Sequence, residues 1–192
     1  MRRKSFSLDH HPFVQYVFLS YLAGELMKEI RYTPIGVIHS PFKDVKGMPI
    51  QTAAAKGIEG TVEVRPEYEE GLKDLEGFSH IILLYHFHRC QGYTLNVQPF
   101  MDDNMRGVFA TRAPRRPNAI GVSVVKLVQV QGCTISIEDI DIADGTPLLD
   151  IKPYVPEFDV RAAKRTGWLH NKANKVHEVS ADERFRREDE DH

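Results

Sequence analysis

The residue pattern predicts a mainly β protein: a small closed or partly open β-barrel with one or two short helices. Short apolar segments separated by turn residues run from Tyr32 to Tyr154, and among them only the stretch after Pro66 has helical spacing. One segment, His80 to Phe87 (HIILLYHF), is apolar at both parities, as a barrel wall or a covered sheet requires. In another, Thr134 to Ile142, Ile135 and Ile137 share one parity while Ile140 and Ile142 share the other. A side-chain period of two cannot do that without an extra residue, so a bulge or bend is expected at Glu138-Asp139, and such bends close barrels.

A chain of 192 residues can bury a full core, and its length suits one domain with extensions. The boundaries read as an N-terminal extension over 1–30, a barrel over 31–160 and a charged tail over 161–192. A formal net charge of −2 argues against bulk electrostatic capture of nucleic acid, so any such binding must come from a local patch. Cys90 and Cys133 are far apart and in no metal spacing, which excludes a disulfide scaffold and suits a reducing, cytoplasmic compartment. The basic start Met1-Arg2-Arg3-Lys4 imitates a signal peptide, but Asp9, His10, His11 and Pro12 interrupt it. Apolar residues at 13, 14, 17, 18, 21 and 22 instead mark one face of a short helix, packed on the body or added by a start upstream of Met27. No stretch approaches the length of a membrane span.

Taken in order, Tyr32 to Ser40 is a first strand ended by Pro41, and residues 42–57 form a long loop without period, the kind that carries function. Gly60 to Arg65 alternates as a second strand. Pro66 opens a short helix with Tyr68, Leu72 and Leu75 on one face. After the His80 strand, Tyr93 to Val97 and Gly107 to Thr111 are shorter strands on either side of the polar turn 102–106. Gly121 to Val130 is the next strand, and Gln131-Gly132 turns it into the bent Thr134 strand. Asp144-Gly145 is a strong turn before a final short strand, Leu148 to Tyr154. Past Pro156 the sequence is basic around a single tryptophan, Trp168, and then densely charged; its end reads as disordered or a short helix, with a solvated charged tail as the default. Trp168 among Arg161, Lys164, Arg165, Lys172 and Lys175 also suits stacking on a base beside phosphates.

The most informative stretch is Gly107 to Ser123, GVFATRAPRRPNAIGVS. Pro114 and Pro117 restrain Ala113 and Arg116 away from helix and stiffen a loop that carries Arg112, Arg115, Arg116 and Asn118. Guanidiniums on a stiff loop suit phosphate, carboxylate or a base edge. Asp141, Asp144 and Asp150 cluster near the Asp-Gly turn, so opposite charges flank one cleft, as a zwitterionic or mixed-charge ligand requires. His80, His86 and His88 share a parity, and a metal bound there would take Asp102, Asp103 or His39 as a further ligand. No glycine-rich strand-to-helix turn, Walker lysine or HExxH is present, so a nucleotide-like cofactor would bind outside a Rossmann unit.

Several linked motifs resemble the TsaA-like (YaeB-like) family: Ile35 to Phe42 (IGVIHSPF), Gly77-Phe78-Ser79-His80, Gly107 to Arg112 (GVFATR), Arg116-Pro117-Asn118-x-Ile120-Gly121, Asp144 to Pro147 (DGTP) and Asp150 to Tyr154 (DIKPY). The resemblance implies a non-Rossmann β-barrel that binds S-adenosylmethionine, acts as a homodimer and methylates N6 of threonylcarbamoyladenosine in the tRNA anticodon loop, with no metal. It implies cofactor contacts at Pro49, Ile50, Gln51, His88, Arg89, Arg112 and Val122, and at Asp141, Asp144, Gly145 and Thr146. The family usually has Arg where this chain has Ile50, Ser at Ala113 and Pro at Ala119.

On this reading Arg112, Arg115, Arg116 and Asn118 face the RNA, and His88 and Asp144 are the candidates for a general base. A non-catalytic dimeric module that binds S-adenosylmethionine or RNA, and a His-ligated metalloenzyme, are the alternative readings.

Overall fold

The structure is a computed structural model and describes residues 29–185. The chain divides into two compact units, Met1–Tyr32 and Thr33–His192. Of the first, residues 29–32 alone are described; the expected short helix over 13–22 lies outside the described residues, as does the chain after 185.

The second unit is built on a closed six-stranded barrel. Its strands are β1 (Gly36–His39), β2 (Glu59–Val64), β3 (His80–His86), β6 (Ile120–Gln131), β7 (Thr134–Glu138) and β8 (Thr146–Pro153). Their order around the barrel is β1-β2-β7-β6-β3-β8, with β8 pairing back on β1 and every ladder antiparallel. Closure leaves no edge strand. Between β3 and β6 lies a small two-stranded sheet of β4 (Asn96–Val97) and β5 (Arg106–Gly107).

Side chains alternate about the barrel wall, so Ile81, Leu83 and Tyr85 of β3 and Val125 and Leu127 of β6 meet Ile38, Val62, Ile135, Ile137 and Leu148 inside. On β3 the alternation is sharper than its sequence suggests: Ile82 and Leu84 are half-buried on the outer face, and His86 is exposed there. The parity break in the Thr134 segment is real, but the strand stops rather than bulging. β7 ends at Glu138 and Asp139 takes a left-handed φ of 67°, which returns Ile140 and Ile142 to the core. Its carboxylate accepts the Gly57 N–H at 2.7 Å and fixes the break. The ladders do slip elsewhere, between Leu127 and Gln129 and between Leu84 and Tyr85.

Other elements differ modestly from expectation. The first strand is shorter, four residues, and the helix after Pro66 is a 3-10 helix, Pro66–Leu72. Leu72 and Leu75 are both buried, but Asp74 at φ 66° separates them into two turns and Tyr68 stays exposed. The expected strand over Gly107 to Thr111 is mostly a 3-10 turn, Val108–Ala110.

The largest departure lies after residue 160, where the sequence reads as a solvated tail. A short helix α1 (Pro156–Asp159) and the 3-10 turns Gly167–Leu169 and Ala173–Glu178 carry the chain back over the small sheet. Trp168 Nε1 donates to the Ala110 carbonyl at 2.7 Å, and Lys172 pairs with Asp102 at 3.0 Å. The chain then bridges to the long loop at Pro49 and Ser180. Phe185 is 8% exposed, buried with Val97, Val108 and Ala113. Charge density hid these few apolar anchors.

Candidate functional site

A cavity of about 460 Å³ opens at the barrel end where β3 finishes and β6 begins, roofed by the long loop and the arginine loop. That volume is in the range of small-ligand sites. One end of it is polar. There the buried Tyr85 hydroxyl stands 3.0 Å from Ser123 Oγ, and Ser123 donates to Asp141 Oδ1 at 2.6 Å. Since a serine hydroxyl has one proton, the tyrosine is the donor to Ser123, and the chain runs Tyr85 to Ser123 to Asp141. Burial pushes the Asp141 carboxyl up to about 6, opposed by its Ser123 hydrogen bond, its own N–H, the charge of Arg112 and the Thr52 N–H. Burial likewise pushes the Tyr85 hydroxyl up, which keeps it a donor.

Gly121 makes this arrangement sterically possible. It faces Tyr85 across the β3–β6 ladder, and a Cβ there would lie 2.2 Å from the tyrosine ring.

The loops close over the polar end through Arg112, whose Nη1 donates to Gln51 Oε1 and so joins the arginine loop to the long loop. Thr146 lines the same space; its hydroxyl donates to the Ala143 carbonyl at 2.7 Å. The 3.3 Å contact between Thr146 Oγ1 and His88 Nδ1 is therefore donated by the histidine, which makes Nε2 the basic nitrogen of the neutral ring.

Of the residues named from sequence, the cavity brings together Pro49, Ile50, Gln51, His88, Arg89, Arg112, Arg116, Val122, Asp141 and Thr146. It does not bring in Asp144 or Gly145. Asp144 lines a separate shallow groove with His39 and Lys43. Its carboxylate is held below the usual range by Lys43 at 2.6 Å and by the Ser40 N–H, while Gly145 N–H bonds Ile38 O. That turn fastens the end of β1. In the arginine loop, Arg116 Nη1 donates to the carbonyls of Thr111 and Ala113 at 3.0 and 3.2 Å, and Arg115 Nε to Gln91 O at 3.3 Å. Asn118 is exposed.

The histidine set expected for a metal is not assembled: His86 is exposed on the outer wall, while His88 lies past the strand in the cavity. No group of three His, Cys, Asp or Glu side chains among the described residues is placed to hold an ion. Sequence reasoning missed Tyr85 and Ser123; their inward parity, shared with Ile81 and Val125, was the available signal.

Residues 37–160 match the family described as tRNA-methyltransferase O N-terminal domain. The chain belongs to that family. A Pyrococcus abyssi relative described as a probable S-adenosyl-L-methionine-binding protein is 62% identical, over 81% of this chain and 85% of that one. A mouse relative, described as tRNA (adenine(37)-N6)-methyltransferase, is 38% identical over 71% of this chain but only 32% of its own length. The crystal structure of TrmO from Pseudomonas aeruginosa superposes with a TM-score of 0.62 at 40% identity, covering 73% of this chain and 63% of that one. The family is thus one of barrel-fold, S-adenosylmethionine-dependent tRNA methyltransferases, in which this chain spans most of some members and a third of others. No helix among the described residues is long and apolar enough to cross a membrane.

Proposed function

We propose that the protein transfers the methyl group of S-adenosylmethionine to N6 of threonylcarbamoyladenosine in a tRNA anticodon loop. The observation that carries this reading is the convergence of Arg112 and the Tyr85–Ser123–Asp141 chain in one cavity of ligand size. The donor is a zwitterion with an added sulfonium charge, so a site for it needs both signs of charge. Arg112, braced by Gln51, suits its carboxylate, and Asp141 suits its cationic groups. When bound, the donor supplies an activated methyl group, so what the protein adds is alignment and removal of a proton, a proximity effect worth about 7 to 11 kcal/mol at best.

The acceptor nitrogen belongs to a urea-like group and has a proton to lose. His88 is the better placed of the two base candidates, because it lines the cavity with Nε2 as its basic nitrogen, whereas Asp144 is ion-paired in another groove. A base in an anticodon loop is single-stranded and enters a pocket without breaking a duplex. Arg116 lines the cavity and spends its guanidinium on the arginine loop's own carbonyls, whereas Arg115 and Asn118 sit on that loop outside the cavity lining and suit the incoming RNA. The basic residues around Trp168 extend that side, since the tryptophan is hydrogen-bonded to the loop's own Ala110.

We further propose a homodimer, with Val122 and Val128 of β6, both more than half exposed, in the contact face, and a reducing, cytoplasmic setting in keeping with Cys90 and Cys133, which are not joined in a disulfide. Incubation with labelled donor and tRNA bearing threonylcarbamoyladenosine tests the reaction. Label is expected on N6 with the unaltered protein and with Asp144→Asn, and reduced about a hundredfold with His88→Ala. Donor binding without label on any tRNA would leave the protein a binding module, the description that the Pyrococcus abyssi relative carries.

A further inference from the structure

The cavity has a second, apolar end that the barrel does not build. Met48, Cys90, Phe100 and Phe185 line it. Phe185 meets Phe100 edge-on with ring centroids 5.2 Å apart and belongs to the buried cluster of Val97, Val108 and Ala113. The backbone that delivers Phe185 is tied to the long loop as a strand would be: Gly47 N–H donates to Ala181 O and Ala181 N–H to Met48 O, both at 2.8 Å. Cys90 Sγ donates to Phe185 O at 3.2 Å. Arg184 spans from the Gln98 and Pro99 carbonyls to the face of Phe100, 5.0 Å from its centroid. Residues 181–185 therefore form a fixed wall of the same space that holds Arg112 and Asp141, although the family match ends at residue 160.

We propose that the donor site extends beyond the barrel onto residues 181–185, and that Phe185, Phe100 and Met48 form the slot for the donor's adenine ring. The inference rests on the methyltransferase reading. The donor has one strongly charged end and one flat heteroaromatic end joined by a ribose. The cavity lining holds both kinds of surface: both signs of charge at Arg112 and Asp141, and the aromatic and thioether surface of Phe100, Phe185 and Met48, beside which Asp182 is neutralised by Arg184 at 2.6 Å. A flat ring gains from offset or edge contacts with phenylalanines and from the polarisable methionine sulfur. The long loop carries Pro49, Ile50 and Gln51 along one side, and its pairing to residues 180–181 keeps that side and the adenine wall at a fixed spacing.

Calorimetry with S-adenosylhomocysteine tests this. Phe185→Ala is expected to weaken binding tenfold or more, while Phe185→Tyr stays within threefold, with thermal unfolding run on each variant. A second measurement uses the unaltered protein: hydrogen exchange at the Gly47 and Ala181 amides is expected to slow when S-adenosylhomocysteine is added. Equal affinity for Phe185→Ala and the unaltered protein, or no slowing at those two amides, overturns the extended site while leaving the methyltransferase reading intact. Failure of the unaltered protein to bind S-adenosylhomocysteine overturns both.

Discussion

Asp141 is the residue whose chemistry depends most on its surroundings. In the sequence it is one of several aspartates near a turn, yet in the fold it is the carboxylate at the end of a buried hydrogen-bond chain. Burial raises its carboxyl from 3.8 to about 6, so between those values the folded protein binds a proton that the unfolded chain has released. The sign follows from linkage: in the ligand-free protein the contribution of Asp141 to stability falls as pH rises from about 4 to about 6 and is level above that. Donor binding has the opposite demand, because a cationic ligand favours the carboxylate. Titration calorimetry is therefore expected to show donor affinity constant above pH 6 and falling up to tenfold per unit below it, with proton release in that window. Asp141→Asn should bind weakly at every pH. An aspartate variant whose weak binding kept the same slope would mean that another group titrates.

At the scale of elements, most of the barrel is legible because its signals are steric. The parity break at Glu138-Asp139 follows from a period of two, and the structure meets it with a left-handed aspartate. The arginine loop reads correctly as an irregular, proline-stiffened segment beside the cavity. What the pattern cannot show is which of two near-identical features faces which space. Asp141 and Asp144 stand three residues apart in the same motif, yet they line different cavities because the chain turns between them. Arg116 looks like its neighbour Arg115, but three of its loop's carbonyls, those of Val108, Thr111 and Ala113, take its guanidinium. Gly121 shows the reverse, a residue without chemistry on which the site depends. Adding a methyl group there drives into the Tyr85 ring. Gly121→Ala is expected to lower stability by about 1 to 3 kcal/mol in urea unfolding and to weaken donor binding as Tyr85 leaves Ser123. Gly71→Ala, which meets nothing within 4 Å, serves as the control.

For the whole molecule, the question is how a chain with a net charge of −2 takes hold of a polyanion. The answer lies in distribution. Residues 161–175 contain Arg161, Lys164, Arg165, Lys172 and Lys175 and no acidic side chain. Lys172 is engaged by Asp102, and that pair, with Trp168 on Ala110, fixes the stretch beside the arginine loop. Arg161, Lys164, Arg165 and Lys175 are left exposed. Such a surface binds phosphates by releasing counterions, so its contribution depends steeply on salt. Reversing Lys164 and Arg165 to Glu is expected to raise KM for tRNA about tenfold or more, with kcat and donor affinity within twofold, since neither residue lines the cavity. The slope of log affinity against log salt should become shallower by about 0.7 to 0.9 for each phosphate that the variant no longer neutralises. If the double reversal left both KM and the salt slope unchanged, the RNA would have to approach over Arg115 and Asn118 alone, and the packing of residues 161–175 would serve only to carry Phe185 to the cavity.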